Sequence, residues 1–232
     1  MRVEALQEVG SAERPGPPTW RLQLGLRLAI CAAVILAAAA LAWGGRDPFV
    51  TEPWLALEPP LLVAASVAGG LSIAGMVVLL TRRAVVTFSW GAEWARDLRA
   101  DLGGASDGRL FLAALTAGLA EELFFRGLLS ATIGIWASAI AFGAVHQLRL
   151  RRGSARWAWM ASATLMGLAL GTLFHLTGSL LGPIAAHVVV NYANTRYLRD
   201  TPAGKKRKLG GLLGGQQTAD RGPPRSVHPP AS

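Results

Sequence analysis

Apolar residues in this chain come in long blocks separated by short polar segments. About 20 consecutive apolar residues are needed to cross a hydrocarbon core roughly 30 Å thick, because a helix rises about 1.5 Å per residue and lipid offers its backbone no hydrogen-bond partner. The pattern predicts an all-α fold, a polytopic transmembrane helical bundle of about six spans. The blocks that meet or approach this length are 22–43, 60–81, 110–129, 132–148, 157–176 and 179–197.

The segments between the blocks define the predicted organisation of the chain. The first block is too long for the apolar part of a signal peptide and has further spans behind it, so we interpret it as a membrane anchor. Both chain ends are rich in charge, proline or glycine and are expected to be disordered. The predicted parts are a cytoplasmic amino-terminal segment at 1–21, two transmembrane helices at 22–81, a cytoplasmic loop able to form an interfacial helix at 82–109, a four-helix core at 110–198, and a basic cytoplasmic tail at 199–232.

The formal charge of +9 is distributed unevenly between the two sides of the predicted bundle. The amino-terminal segment, the 82–109 loop, the 149–156 cluster and the 205–208 run fall on one side, and the other side receives Arg46 with little else that is basic. The positive-inside rule then predicts cytoplasmic termini and an even number of spans. We expect an integral protein of the bacterial cytoplasmic (inner) membrane, with the lipid bilayer and no nucleic acid as partner.

Ionisable side chains inside the predicted spans are few. Each costs about 2.5–3.5 kcal/mol at the bilayer centre on insertion scales, so it is expected to face the bundle interior and to be paired or functional. The third span carries Glu121, Glu122 and Arg126, the fourth ends near His146, and the sixth carries His187 together with the amide Asn191.

Helical spacing separates the two adjacent glutamates. Residues four apart share a helix face, so Glu122 and Arg126 are expected to form a charge pair, whereas Glu121 points about 100° away. We therefore expect Glu121 to face the neighbouring helices, with Glu122 and Arg126 as structural support. Phe142 lies one turn before His146 and is predicted to form a wall of the site.

Depth in the membrane gives a second test of this grouping. If the third and fourth spans join in a tight turn near Ile133, Glu121 and His146 each lie about 12 residues, or roughly 18 Å, from that turn. A further turn at 177–178 brings the polar residues of the sixth span to a comparable depth. These side chains can therefore converge in one site. His175, near the end of the fifth span, has no matched partner in this pattern and is interpreted as an interfacial histidine.

Three motifs occur in order on successive predicted spans. They are E-E-x-x-x-R at 121–126, F-x-x-x-H at 142–146 and H-x-x-x-N at 187–191. In this order they resemble the CPBP family of CAAX-processing and bacteriocin-processing intramembrane endopeptidases, also called glutamic-type or type II CAAX prenyl endopeptidases. The resemblance covers roughly 110–197, and the stretch 178–187 is similar to the family's approach to its last histidine.

The resemblance implies a catalytic set of Glu121, His146, His187 and Asn191. Glu121 with His146 would activate a water, and His187 with Asn191 would stabilise the oxyanion, without a metal or other cofactor. A partly desolvated carboxylate is a stronger base than one in water, and an oxyanion donor contributes about 10²–10³ in rate. The expected reaction is hydrolysis of a peptide bond in a membrane-anchored protein or peptide precursor, such as removal of a carboxyl-terminal sorting tag.

Two other interpretations remain open. Glu121, His146 and His187 form a chemically reasonable zinc set, although no H-E-x-x-H pair is present and Asn191 is a poor zinc ligand. The chain could also be a non-catalytic membrane immunity or partner-binding protein of the same family. A small transporter is disfavoured because the sequence has no internal repeat.

Overall fold

The computed structural model describes residues 20–44, 51–102, 105–147 and 154–201. This part of the chain is helical and contains no strand, which confirms the predicted all-α class. Most of the predicted terminal segments, Arg46 and most of the 149–156 cluster lie outside the described residues. The helices are α1 (Trp20–Trp43), α2 (Pro59–Thr87), α3 (Ser89–Leu102), α4 (Asp107–Glu122), α5 (Ser130–Gln147), α6 (Ser154–Thr177) and α7 (Leu181–Asp200), and a π-helix (Leu123–Leu129) joins α4 to α5.

Three segments of the described chain are long and apolar enough to cross a membrane by length and composition. They are Pro59–Thr87, Asp107–His146 and Ala155–Thr177. The second contains two of the six predicted blocks in one helical run, and α1 contributes a shorter apolar stretch at Leu28–Leu41. Many large apolar side chains of this part of the chain are exposed, as expected where lipid rather than water surrounds a bundle.

The long run reverses direction at Gly134. This glycine has φ 84° and ψ 166°, a left-handed region that side chains with a Cβ rarely adopt. Contacts pair residues on either side of it: the rings of Phe125 and Phe142 lie 5.0 Å apart, and the Ser138 hydroxyl donates to the Phe125 carbonyl at 2.6 Å. The tight turn predicted near Ile133 is therefore present one residue later.

The third predicted span is not a regular α-helix throughout. Immediately after Glu122 the chain widens into the π-helix, whose last turn is closed by the Ser130 N–H donating to the Phe125 carbonyl five residues earlier. Such turns inside α-helices occur frequently at functional sites. Here the wider turn begins directly after the two adjacent glutamates.

Small residues allow α2 and α7 to pack closely. A Cβ built on Gly70 would overlap the backbone of Gly182, and one built on Gly182 would overlap the backbone of Ser66. The Ser66 hydroxyl accepts from the Gly182 N–H at 3.1 Å and donates to the Ser179 carbonyl at 3.0 Å. Small residues four apart commonly bring membrane helices together, and here they fix the start of α7, the helix that carries His187.

Helix α3 forms within the predicted 82–109 loop. It buries Trp94 and Ala95 in a cluster with Ala155 and Leu198, and the rings of Trp94 and Trp159 stack at 4.8 Å. The loop helix is thus packed against α6 and α7, at the end of the bundle where α2 ends.

Candidate active site

Glu121 lies between two histidines that come from different helices. Its Oε2 is 3.4 Å from Nε2 of His146 on α5 and 3.5 Å from Nε2 of His187 on α7. The side chain of Glu121 is 19 % exposed and that of His146 is 12 % exposed, whereas His187 is only 3 % exposed. Three predicted site residues therefore meet, and the face that a substrate or a water can reach is formed by Glu121 and His146.

Glu122 is fully buried, and its carboxylate contacts both the Arg126 guanidinium and the His187 ring. Its Oε1 lies 2.8 Å from Nη1 of Arg126, as helical spacing predicted, and 2.6 Å from Nδ1 of His187. The buried Arg126 guanidinium also lies 4.5 Å from the ring centroid of Phe142. The contact between Glu122 and His187 was not foreseen, and it makes Glu122 a partner of His187 as well as a support for Arg126.

Hydrogen bonds define which nitrogen of each histidine carries a proton. Nδ1 of His146 lies 2.8 Å from the Phe142 carbonyl oxygen, which can only accept, so this nitrogen must be the donor. Nδ1 of His187 likewise faces the Glu122 carboxylate, whose charge is stabilised by Arg126. In the neutral imidazoles both Nε2 atoms therefore present lone pairs toward Oε2 of Glu121. Such a convergence of acceptors favours a proton, a water or a cation between them.

Phe142 forms the predicted wall. Its buried ring lies 4.2 Å from the ring of His146 and 5.9 Å from that of His187, by centroids, and packs edge-on against Phe125. The aromatic contacts limit rotation of His146 and keep water away from that side of the site.

Asn191 follows His187 by one turn on α7 and is partly buried. Its side-chain amide makes no hydrogen bond with any residue that the structure describes, and its backbone carbonyl accepts from the Thr195 hydroxyl at 2.6 Å. The oxyanion role of Asn191 therefore stays a prediction. Asn194, on the same face, is 8 % exposed, and its Oδ1 is buried without a hydrogen-bond partner among the described residues. The H-x-x-x-N-x-x-N spacing could have indicated Asn194 from the sequence.

Comparison with known proteins identifies the segment that contains the site. Residues 108–193 match the family described as Rce1-like, type II CAAX prenyl endopeptidase. The similarity to this family covers less than half of the chain. All four predicted catalytic residues lie within it, and together with the apolar helices the match places the chain among integral membrane proteins.

A curated protein from Bacillus subtilis (strain 168) is similar to part of this chain. It is the "Uncharacterized protein YpbD", which is 34 % identical over 82 residues, covering 35 % of this chain and 41 % of that protein. The match thus spans less than half the length of the relative. No solved structure matches the chain.

A second group of polar side chains surrounds His175, whose expected lack of a partner is wrong. Its Nε2 lies 3.1 Å from the Ser130 hydroxyl and its Nδ1 lies 3.4 Å from the Thr51 hydroxyl. The ring of Trp54 lies 5.4 Å away by centroids, and the backbone N–H of Trp54 donates to the backbone carbonyl of His175 at 3.0 Å. We name Thr51, Ser130 and His175 the hydroxyl cluster. It connects the segment before α2 to the end of α6.

Proposed function

We propose that this protein is an intramembrane endopeptidase of the glutamic type, in which Glu121 activates a water molecule. The observation that carries the proposal is the position of Glu121, partly accessible, with one carboxylate oxygen facing Nε2 of two histidines inside the Rce1-like segment. A general base must lie within reach of the proton that it removes, directly or through one water. The side chains of Glu121 and His146 are both partly exposed, so a water can reach them.

The proposed reaction uses the two histidines differently. Glu121 takes a proton from the water while the water oxygen attacks the scissile carbonyl carbon, and Nε2 of His146 accepts a hydrogen bond from the same water. The carbonyl oxygen becomes an oxyanion. The proton held by Glu121 then passes to the leaving nitrogen as the C–N bond breaks, giving a carboxylic acid and an amine.

Glu122 supports the oxyanion step through His187. A neutral His187 that donates from Nδ1 has no proton at Nε2, so it stabilises an oxyanion only as the imidazolium, with its second proton taken up from solvent before the water is activated. The buried Glu122 carboxylate at 2.6 Å favours this charged form, as the aspartate of a Ser-His-Asp triad does for its histidine. We assign Asn191 as a second, neutral donor to the oxyanion. Glu122, which the sequence predicts to be only a structural support, thereby has a chemical role as well.

The proposed substrate is a membrane-anchored protein or peptide precursor. The glutamates lie within Asp107–His146, a segment apolar and long enough to span a membrane, so the scissile bond must reach a position inside the bundle. The family description names a type II CAAX prenyl endopeptidase. We favour a peptide precursor or a carboxyl-terminal sorting tag, because the Ala-, Gly- and Arg-rich composition is typical of a bacterial chain.

The decisive experiment compares the membrane proteome of a deletion strain with that of strains expressing three forms of the protein. The wild type and Glu93→Gln, a control at an exposed glutamate on α3, should both restore cleaved termini. Glu121→Gln should accumulate the same uncleaved proteins as the deletion while reaching the wild-type level in the membrane. Full restoration by Glu121→Gln would reject the enzymatic proposal in favour of a partner-binding or immunity protein.

One observation favours a zinc-dependent variant of the same activity. Metal-bound histidines usually donate their other ring N–H to a carboxylate or a backbone carbonyl, as His146 and His187 do. The 3.4 and 3.5 Å separations from Glu121 are also close to the spacing of ligands about 2.0–2.2 Å from a tetrahedral zinc. We nevertheless prefer the metal-free mechanism, because Asn191 is a poor zinc ligand and a good amide donor to an oxyanion. Loss of cleavage by the purified protein in a chelator, with recovery on adding zinc, would reverse this preference.

A further inference from the structure

A cavity of about 380 Å³ lies between the ends of α2 and α7, away from the proposed active site. At about 100° per residue, Arg196 is about 180° around α7 from His187, so the two sites lie on opposite faces of this helix. The residues that line the cavity include Arg82, Tyr192, Arg196, Tyr197, Asp200 and Thr201.

Two arginines give this cavity a positive charge. The Arg82 guanidinium lies 5.1 Å from the ring centroid of Tyr197 and forms no ion pair within the described part of the chain. Arg196 reaches Asp107 and Asp200 only at 3.6 and 3.7 Å. The two Arg196 separations are longer than hydrogen bonds, and Arg82 has no ion pair among the described residues. Both guanidinium groups therefore keep N–H donors for a ligand.

The nearby aspartates are held by a third arginine. Arg199 contacts Asp107 at 2.6 Å and Asp200 at 2.7 Å. Its hydrogen bond lowers the pKa of Asp200, so this carboxylate is ionised at neutral pH and its charge is largely balanced by Arg199. The charged residues that line the cavity are Arg82, Arg196 and Asp200, so the arginines of the lining exceed its carboxylates by one.

The surroundings of the cavity are those of a membrane boundary. Arg82 follows Leu79 and Leu80, which are 68 % and 62 % exposed. The exposed surface of α2 therefore changes from apolar to charged within one turn. Exposed Val189 lies one turn before the cavity on α7. Tyrosine side chains favour this level because they combine an apolar ring with a hydroxyl.

We propose that this cavity binds the phosphate of an anionic phospholipid. Arg82 and Arg196 are its charged donors, and the Tyr192 and Tyr197 hydroxyls are its neutral ones. The acyl chains lie along the exposed apolar surface of α2 and α7. Guanidinium groups match phosphate oxygens in geometry and charge. A soluble phosphate would use the same donors but would gain nothing from the apolar surface. The proposal does not depend on the protease activity.

The test measures lipid binding to the purified full-length protein, without any cleavage assay. After removal of lipid, phosphatidylglycerol or phosphatidylcholine is titrated in detergent, and bound lipid is counted by native mass spectrometry. Arg82→Gln is compared with Arg83→Gln, which removes the same charge from the adjacent exposed position outside the cavity. We expect preferential retention of phosphatidylglycerol, about fivefold weaker binding in Arg82→Gln, and wild-type binding in Arg83→Gln.

Equal losses in both variants would show general surface attraction and overturn the proposal, as would equal retention of the two lipids. Competition by inorganic phosphate at the concentration of phosphatidylglycerol would assign the cavity to a soluble anion and reject the lipid. If Arg82→Gln fails to fold, Arg196→Gln and Arg96→Gln, an exposed position on α3, form a second matched pair. The same outcomes then decide the proposal.

Discussion

Two histidines, His187 and His175, are each held by two side chains from elsewhere in the chain, but the partners differ in chemistry. His187 contacts Glu122 at 2.6 Å and Glu121 at 3.5 Å. His175 contacts the neutral hydroxyls of Ser130 and Thr51 at 3.1 and 3.4 Å. Carboxylates favour the imidazolium and can exchange a proton with it, whereas hydroxyls donate or accept equally and favour no charge. The carboxylate contacts of His187 are therefore suited to proton transfer, whereas the hydroxyl contacts of His175 are suited to positioning.

The difference extends to the balance of charge. Glu121, Glu122 and Arg126 leave one carboxylate in excess at His187, and that carboxylate is the one with partial access. At the hydroxyl cluster the described contacts of His175 are to neutral groups. A buried histidine that joins helices is thus not evidence of catalysis until its partners are known.

The largest expected effect is that of Glu121→Gln on turnover. Glutamine keeps the shape and removes the base, so cleavage by the purified enzyme should fall by about 10²–10⁴ with the thermal unfolding midpoint unchanged. Turnover is measured with a fluorogenic peptide derived from an uncleaved protein of the deletion strain. Activity within a few fold of wild type would remove the distinction drawn between the two histidines.

Glu122→Gln should act mainly on stability. Removing one partner of a buried charge pair typically lowers the free energy of unfolding by about 3–5 kcal/mol, and Glu122→Gln leaves Arg126 without its carboxylate partner. His187 would also lose its charged acceptor. The measurement is the membrane level and the unfolding midpoint of Glu122→Gln beside Glu121→Gln. Equal levels of both variants, with only Glu122→Gln inactive, would show that the two glutamates have exchanged roles.

The site also shows what a single sequence can and cannot predict. The charge pair of Glu122 with Arg126 follows from helical spacing, and the turn at Gly134 follows from span length. The contacts of His187 with Glu122 and of His175 with Ser130 depend on how each helix is rotated about its axis. The π-helix changes that rotation after Glu122, and a pattern analysed at 3.6 residues per turn cannot register it.

Asn191→Asp separates the metal-free mechanism from the zinc-dependent one. An aspartate keeps the size of Asn191 but replaces the amide donor with a charge that repels an oxyanion, whereas it would be a good zinc ligand. The metal-free mechanism predicts that turnover falls by about 10² or more with KM little changed. Steady-state kinetics with and without a chelator provide the measurement. Retained turnover that becomes chelator-sensitive would favour zinc.

The smallest expected effect is at the hydroxyl cluster, where His175→Gln should change stability and leave the chemistry intact. Glutamine can replace one hydrogen bond but not both, and a lost hydrogen bond costs about 1 kcal/mol, so the unfolding midpoint should fall slightly. Ser130→Ala removes the partner of Nε2, and because the two groups touch, the double variant should lose less than the sum of the single losses. Turnover should stay within about twofold in all three variants, because none of them removes a group of the proposed active site. A tenfold fall would mean that the activation barrier had risen by about 1.4 kcal/mol. A loss of turnover as large as that of Glu121→Gln, without a loss of folded protein, would bring the hydroxyl cluster into the catalytic machinery and end the contrast between the two histidines.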